Sequence, residues 1–173
     1  GLPEVALAGR AYYTVFDPDC QATPRPGGTC ADRTHCDFDG AGNCPDKILW
    51  SRSTQDISSN VTGSSIFDFE ADGKAEVIYA DELFLRVYDG DNGALLFQTA
   101  KSSCTWYEYP LVADVDADGR AEILGVANNN CGFGTQRGVY LWGDPNWVDT
   151  RDVWNQHTYH ITNDRGVPSA LPM

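Results

Sequence analysis

The sequence is short of cations, has a single methionine and lacks any long apolar run. Lys and Arg number 12 against 25 Asp and Glu, for a formal net charge of -13. Nucleic-acid binding needs a basic surface, so this balance argues against a nucleic-acid partner. No stretch approaches the ~20 consecutive apolar residues that a membrane-spanning helix requires. No Leu/Ala/Glu/Lys-rich stretch is present either, and residues 148–160 offer only an irregular helical spacing of one or two turns. The chain has no Gly-x-Ser-x-Gly, no phosphate-binding P-loop and no His-Glu-x-x-His, so the familiar signatures of nucleophilic, nucleotide and zinc-hydrolase chemistry are missing. No signal peptide is visible, and the opening Gly1-Leu2-Pro3-Glu4 reads as a processed or excised start. Cys-x-x-Cys is absent too, which leaves His35 beside Cys36 a weak zinc candidate.

What is present describes a turn-rich β protein. Hydrophobic residues make up 42% of the 173, too many for disorder and enough for one core. The 17 Gly and 9 Pro suit short strands and tight turns. Six cysteines, an even count, point to disulfides and an oxidising, extracellular or cell-surface setting. Cys20, Cys30, Cys36 and Cys44 lie in a segment poor in apolar residues, which two bridges among them would hold. Cys104 and Cys131 flank a later pair of strands and are expected to bridge each other. Asn60-Val61-Thr62 is an N-glycosylation sequon.

The strongest signal is an internal repeat. The run Asp68-Phe69-Glu70-Ala71-Asp72-Gly73-Lys74-Ala75-Glu76 matches Asp114-Val115-Asp116-Ala117-Asp118-Gly119-Arg120-Ala121-Glu122, and Gly73 and Gly119 are 46 residues apart. That period is the size of one four-stranded propeller blade, ~40–50 residues. The first residues continue the pattern, since Gly1 to Ala8 matches Gly73 to Ala80. Gly1 is then the glycine of a third loop, and that repeat carries an insertion of about the size of the cysteine-rich segment, near residues 18–46.

Four short strands are expected in each unit, with the acidic loop between the first and second. Those before the loops fall at 65–69 and 111–115, and those after them at 5–8, 77–80 and 123–127. Third strands fall at 12–16, 84–88 and 139–142, and closing strands at 48–52, 95–99 and 147–154. The turn Asp89-Gly90-Asp91-Asn92-Gly93 joins two of them. The expected division is a partial first blade at 1–60 containing the insertion, a second at 61–103, a third at 104–155 and an irregular tail at 156–173.

The loop spacing points to calcium. Calcium takes 6–8 oxygen ligands at about 2.3–2.6 Å, and alternate carboxylates followed by a turn glycine can converge on one ion. Side chains of Asp68, Glu70, Asp72 and Glu76, with the Lys74 backbone carbonyl, form the first candidate set. Asp114, Asp116, Asp118 and Glu122, with the Arg120 backbone carbonyl, form the second, and Glu4 ends the truncated third. An EF-hand would close with Glu at loop position 12, where Tyr79 and Gly125 stand, and would be flanked by helices. A plain turn would use one or two acids as caps, not four in register. Without a cation, four clustered carboxylates repel one another.

These loops resemble those of the FG-GAP/VCBS repeat family, found in integrin α-subunit propellers and in secreted bacterial proteins. The family pattern is Asp-x-Asp/Asn-x-Asp-Gly-x-x-Asp/Glu. The second loop fits it throughout; in the first, Glu70 is longer than the usual Asp or Asn. The resemblance covers roughly residues 1–16 and 47–145, and the stretch from Trp154-Asn155-Gln156-His157 is also similar to the segment that succeeds such repeats in bacterial proteins. It implies an all-β fold: a partial β-propeller of about three four-stranded blades, the first incomplete, from a ring of about seven. It also implies structural calcium and a secreted or cell-surface adhesion or binding module without catalysis, its ligand a protein or carbohydrate. Three blades do not close a ring, so exposed sheet edges are expected to favour self-assembly, and a filament or matrix subunit is the first alternative. A polysaccharide lyase or hydrolase propeller is the second. Trp106, Tyr107, Tyr109 and Trp142 are expected in core and inter-blade packing rather than in a ligand-binding patch, and His157 and His160 in packing or at the surface rather than in catalysis.

Overall fold

The computed structural model describes residues 4–17 and 47–150. The cysteine-rich segment, Trp154, His157, His160 and the tail lie outside the described residues. Among those described, ten strands form and no helix does. They are β1 (Val5–Ala8), β2 (Tyr12–Phe16), β3 (Ile48–Ser53), β4 (Ser64–Phe67), β5 (Glu76–Ala80), β6 (Phe84–Asp89), β7 (Leu95–Ala100), β8 (Leu111–Ala113), β9 (Glu122–Ala127) and β10 (Gly138–Gly143).

The strands make three antiparallel meanders: β1-β2-β3, then β4-β5-β6-β7, then β8-β9-β10. Each acidic loop joins the first two strands of its sheet, β4 to β5 and β8 to β9. Among the described residues, the second sheet alone has the four strands expected of a full unit. The third lacks its closing strand among the described residues, because the chain turns away directly after β10. Asp144 makes that turn: its carboxylate accepts the Asn146 amide at 2.9 Å and its carbonyl accepts the Trp147 amide at 3.0 Å. Trp147 then stacks on Phe69 with ring centroids 4.2 Å apart. Val148 donates its amide to the Phe69 carbonyl and accepts the Ala121 amide, both at 2.9 Å, so it ties one acidic loop to the other.

The second sheet lies between its neighbours, and this explains why all of β5 is buried. Side chains alternate across a strand. Val77 and Tyr79 join Tyr13, Val15, Leu49, Trp50 and Tyr88 in one core shared with the first sheet. Ile78 and Ala80 join Leu85, Val87, Val112 and Ile123 in a second core shared with the third. A strand covered on both faces reads as a continuous apolar run rather than an alternating one. Each fully buried Ile, Val or Leu contributes about 1.5–3 kcal/mol.

Aromatic rings dominate the first core. Tyr13 packs on Tyr79 at 4.6 Å between centroids, and Trp50 on Tyr88 at 5.6 Å. The polar tips are satisfied: the Tyr13 hydroxyl donates to Ser64 at 2.6 Å and the Trp50 indole to the Gly90 carbonyl at 2.8 Å. Gly93 completes the β6–β7 turn at φ 68°. A Cβ there would stand 2.5 Å from the Trp50 ring, so both conformation and space require glycine.

Candidate metal centre

Both acidic loops have the same backbone. Ala71 and Ala117 take left-handed conformations at φ 54° and 61°, and Gly73 and Gly119 follow at 87° and 82°. The opening aspartate braces each turn. Asp68 accepts the amides of Asp72 at 3.1 Å and Gly73 at 2.8 Å, and Asp114 accepts that of Gly119 at 3.0 Å. The closing glutamate reaches back across the hairpin. Glu76 accepts the Phe69 amide at 3.0 Å, and Glu122 accepts the Val115 amide at 2.9 Å.

The loops bring together different subsets of the expected ligands. In the first, carboxylate oxygens of Asp68, Glu70 and Glu76 lie within 4.8 Å of one another. Asp72 is outside that group and caps the Lys74 amide at 2.8 Å. In the second, Asp114, Asp116 and Asp118 converge within 4.8 Å, while Glu122 stays with the hairpin amide. Of the two residues expected to give carbonyls, Lys74 pairs its side chain with Asp91, outside the loop, at 3.1 Å, whereas Arg120 pairs with Asp118 of its own cluster at 3.5 Å. Glu4 is exposed, and the residues before it lie outside the described part.

The clusters concentrate negative charge. Burial pushes the Glu76 carboxyl up to about 7; the Phe69 amide opposes this, and the neighbouring Glu70 and Asp68 carboxylates add to it. Asp114 Oδ1 is buried and has no hydrogen-bond partner. An orphaned carboxylate oxygen is costly, and it belongs to a residue whose carboxylate converges with those of Asp116 and Asp118. The donors are all hard oxygens, which suits calcium or magnesium and not a thiophilic metal. An open cleft beside the second loop, of about 380 Å³, is lined by Asp116, Asp118, Glu122, Leu141 and Asp144.

A second polar cluster was not expected. Asp56, Asp81 and Glu82 are fully buried where the 54–60 link meets the second and third sheets. Asp81 accepts the amides of Leu83 and Phe84 at 2.8 Å and of Gln55 at 3.0 Å, and it pairs with Arg86. Glu82 accepts Gln55 Nε2 at 2.9 Å and the Ser58 amide. Asp56 accepts the Thr105 hydroxyl and the Asn60 amide, the latter at 3.2 Å. Nearby, burial lowers the Lys101 pKa against the pull of the Glu108, Asp81 and Asp56 carboxylates. In sequence, Asp81-Glu82 between two apolar strands reads only as a turn.

Cys104 is joined to Cys131, with Cα atoms 5.4 Å apart. The loop it anchors presents Trp106 and Tyr107 to solvent as an edge-to-face pair, contrary to the expected core packing. The loop backbone is committed to internal bonds, including the Trp106 amide to Glu108 at 2.9 Å, which turns these rings outward. Trp142, in contrast, does pack on the core. Asn60 of the sequon is exposed at φ 60°, while Thr62 is buried.

Two hairpins with matching acidic loops, set in stacked antiparallel sheets, define an all-β repeat. Residues 68–125 match the family model of the FG-GAP-like repeat. Among solved structures it is similar to the V. cholerae biofilm matrix protein Bap1, with a TM-score of 0.69 and 27% identity over 92% of this chain. The similarity spans 23% of the Bap1 chain, so this chain corresponds to under a quarter of that protein's length. No curated protein matches the chain. No helix among the described residues is long and apolar enough to cross a membrane.

Proposed function

We propose that the chain is a secreted, non-catalytic repeat module whose two acidic loops each hold one calcium ion as a structural pin, and that it works in adhesion or matrix binding. The observation that carries this is the second loop: three converging carboxylates, one with a buried oxygen that has no other partner. Calcium is preferred over magnesium because magnesium demands a stricter octahedron and gives up its waters reluctantly.

Asp68, Glu70 and Glu76 would hold the first ion, with Asp72 and the Lys74 carbonyl completing it. Asp114, Asp116 and Asp118 would hold the second, with Glu122 and the Arg120 carbonyl. The ion neutralises charge and does no chemistry; the protein's own contribution is the hairpin, fixed by Glu76 and Glu122 on their amides. An ion that binds only the folded loop stabilises it by about 2.7 kcal/mol at a hundred times its Kd. Isothermal titration of the chelator-treated chain should register two calcium ions, and an Asp114→Asn, Asp116→Asn variant one. Absence of any binding heat at millimolar calcium would sink the proposal.

We read the three sheets as consecutive blades of a propeller-type stack, with the 18–46 segment inserted in the first. The repeat period and the two shared cores support this. The similarity to a biofilm matrix protein favours a matrix role for the module, with a protein or carbohydrate ligand.

A further inference from the structure

The two acidic loops belong to different sheets, yet one short segment is bonded to both. After the turn at Asp144, Val148 donates its amide to the Phe69 carbonyl, and its own carbonyl accepts the Ala121 amide, each at 2.9 Å. Phe69 adjoins Asp68, and Ala121 adjoins Glu122. On the first side the Phe69 amide donates to Glu76 at 3.0 Å, and Glu76 converges with Asp68 and Glu70. On the second side Glu122 accepts, at 2.9 Å, the amide of Val115, which lies between the converging Asp114 and Asp116. A continuous path therefore runs from Glu76 through Phe69, Val148 and Ala121 to Glu122. Packing holds the same segment down. Trp147 stacks on Phe69 at 4.2 Å between centroids, and Phe69 and Ala121 are 1% and 0% exposed. Asp144, at the root of the segment, lines the cleft beside Asp116 and Asp118.

We propose that the 144–148 segment is a strap that couples the two loops, so that calcium in one raises the affinity of the other for calcium. The inference rests on the calcium reading of these loops and adds how their filling is regulated. The physical argument is a shared ordering cost. Without an ion the converging carboxylates repel, and the repulsion loosens Glu76 from the Phe69 amide. Phe69 then shifts, and its carbonyl no longer meets the Val148 amide. An ion held by Asp68, Glu70 and Glu76 fixes Phe69 and docks the strap. The docked Val148 carbonyl holds Ala121, and with it Glu122, ready for the second ion. A ligand that binds an already ordered site meets less of the ordering cost. Linkage makes the effect reciprocal, so the second ion helps the first by the same factor. Two states define the device: the strap docked on both loops, and the strap released. The module then takes up both ions together over a narrow range of calcium, where independent loops would fill one by one.

The test is calorimetric titration of calcium into the chelator-treated whole chain, with circular dichroism confirming that each variant keeps its sheets. Asp114→Asn with Asp116→Asn reports the first loop alone, and Asp68→Asn with Glu70→Gln reports the second alone. The product of the two wild-type binding constants should exceed the product of these single-loop constants roughly fivefold or more. Val148→Pro removes the amide donor to Phe69 and touches no ligand. It should still bind two ions, with that excess lost. Where Val148→Pro loses its sheets, Trp147→Ala, which removes only the stacking on Phe69, takes its place. Equal products, or an excess that the strap variant leaves intact, would overturn the coupling and leave both calcium sites standing. A chain that takes up no calcium would overturn the calcium reading and the coupling with it.

Discussion

The Glu122 carboxylate holds the amide of Val115, seven residues earlier, at 2.9 Å. Glu76 does the same for Phe69. The last acid of each loop thus closes the hairpin, beside a crowd of carboxylates that includes Glu76 itself in the first loop and Asp114, Asp116 and Asp118 in the second. A single spacing serves two physical ends: it fixes the backbone and it concentrates negative charge.

Separating these ends gives the first prediction. Glu122→Ala removes a buried acceptor and leaves the Val115 amide unpaired, so it should cost about 1–3 kcal/mol even with chelator present. Glu122→Gln keeps an acceptor and should cost less than about 1 kcal/mol in chelator. It should nevertheless blunt the rise in melting temperature on adding calcium. Urea unfolding of the three proteins, with and without calcium, checks both halves.

The Cys104–Cys131 bridge closes a loop of 27 residues. Chain-entropy arguments assign a loop of that length about 3.5 kcal/mol. A Cys104→Ser, Cys131→Ser variant should unfold at correspondingly lower denaturant. Trp106, which stands on the bridged loop, should become more mobile as read by fluorescence anisotropy decay.

Glu108 governs an acid limb. Burial by itself would raise its pKa, but the Ser103 hydroxyl, the Trp106 amide and the nearby Lys101 charge outweigh burial and hold the carboxyl below its ordinary range. A depressed carboxylate contributes stability that is present above the unfolded pKa, near 4.3, and is lost as pH falls through the folded value. Glu108→Gln should therefore flatten the fall in melting temperature below about pH 4.3 and change the neutral-pH slope little. A parallel pair of acid curves would refute this.

Gly93→Ala combines a left-handed φ with a Cβ 2.5 Å from the Trp50 ring. The expected cost is about 1–3 kcal/mol from overpacking, plus about 1 kcal/mol from the backbone. Near-ultraviolet circular dichroism should report a disturbed Trp50.

Much of this architecture was readable in the sequence because it is periodic. The two acidic loops, the strands that follow them and the Asp89–Gly93 turn are set by residues close in the chain, whose hydrogen bonds are local. What escaped depends on distant contacts. The closing strand expected at 147–154 does not form over its described residues, because Trp147 and Val148 find Phe69, some eighty residues earlier. Asp56, Asp81 and Glu82 carry no spacing that announces burial, since their donors come from three separate segments. Trp106 and Tyr107 read as core by residue type, yet the loop turns them outward by committing its backbone to Glu108 and Ser103. The split of ligands also escaped: alternation predicts four inward acids per loop, whereas Asp72 and Glu122 stand outside the converging groups.

The central claim is that cations complete the two loops. Its most direct test is the melting temperature of the chelator-stripped chain, followed as calcium is added and then withdrawn with excess chelator. A reversible rise of several degrees, halved when Asp114 and Asp116 are both replaced by Asn, is the predicted result. A melting curve that neither calcium nor chelator moves would contradict it.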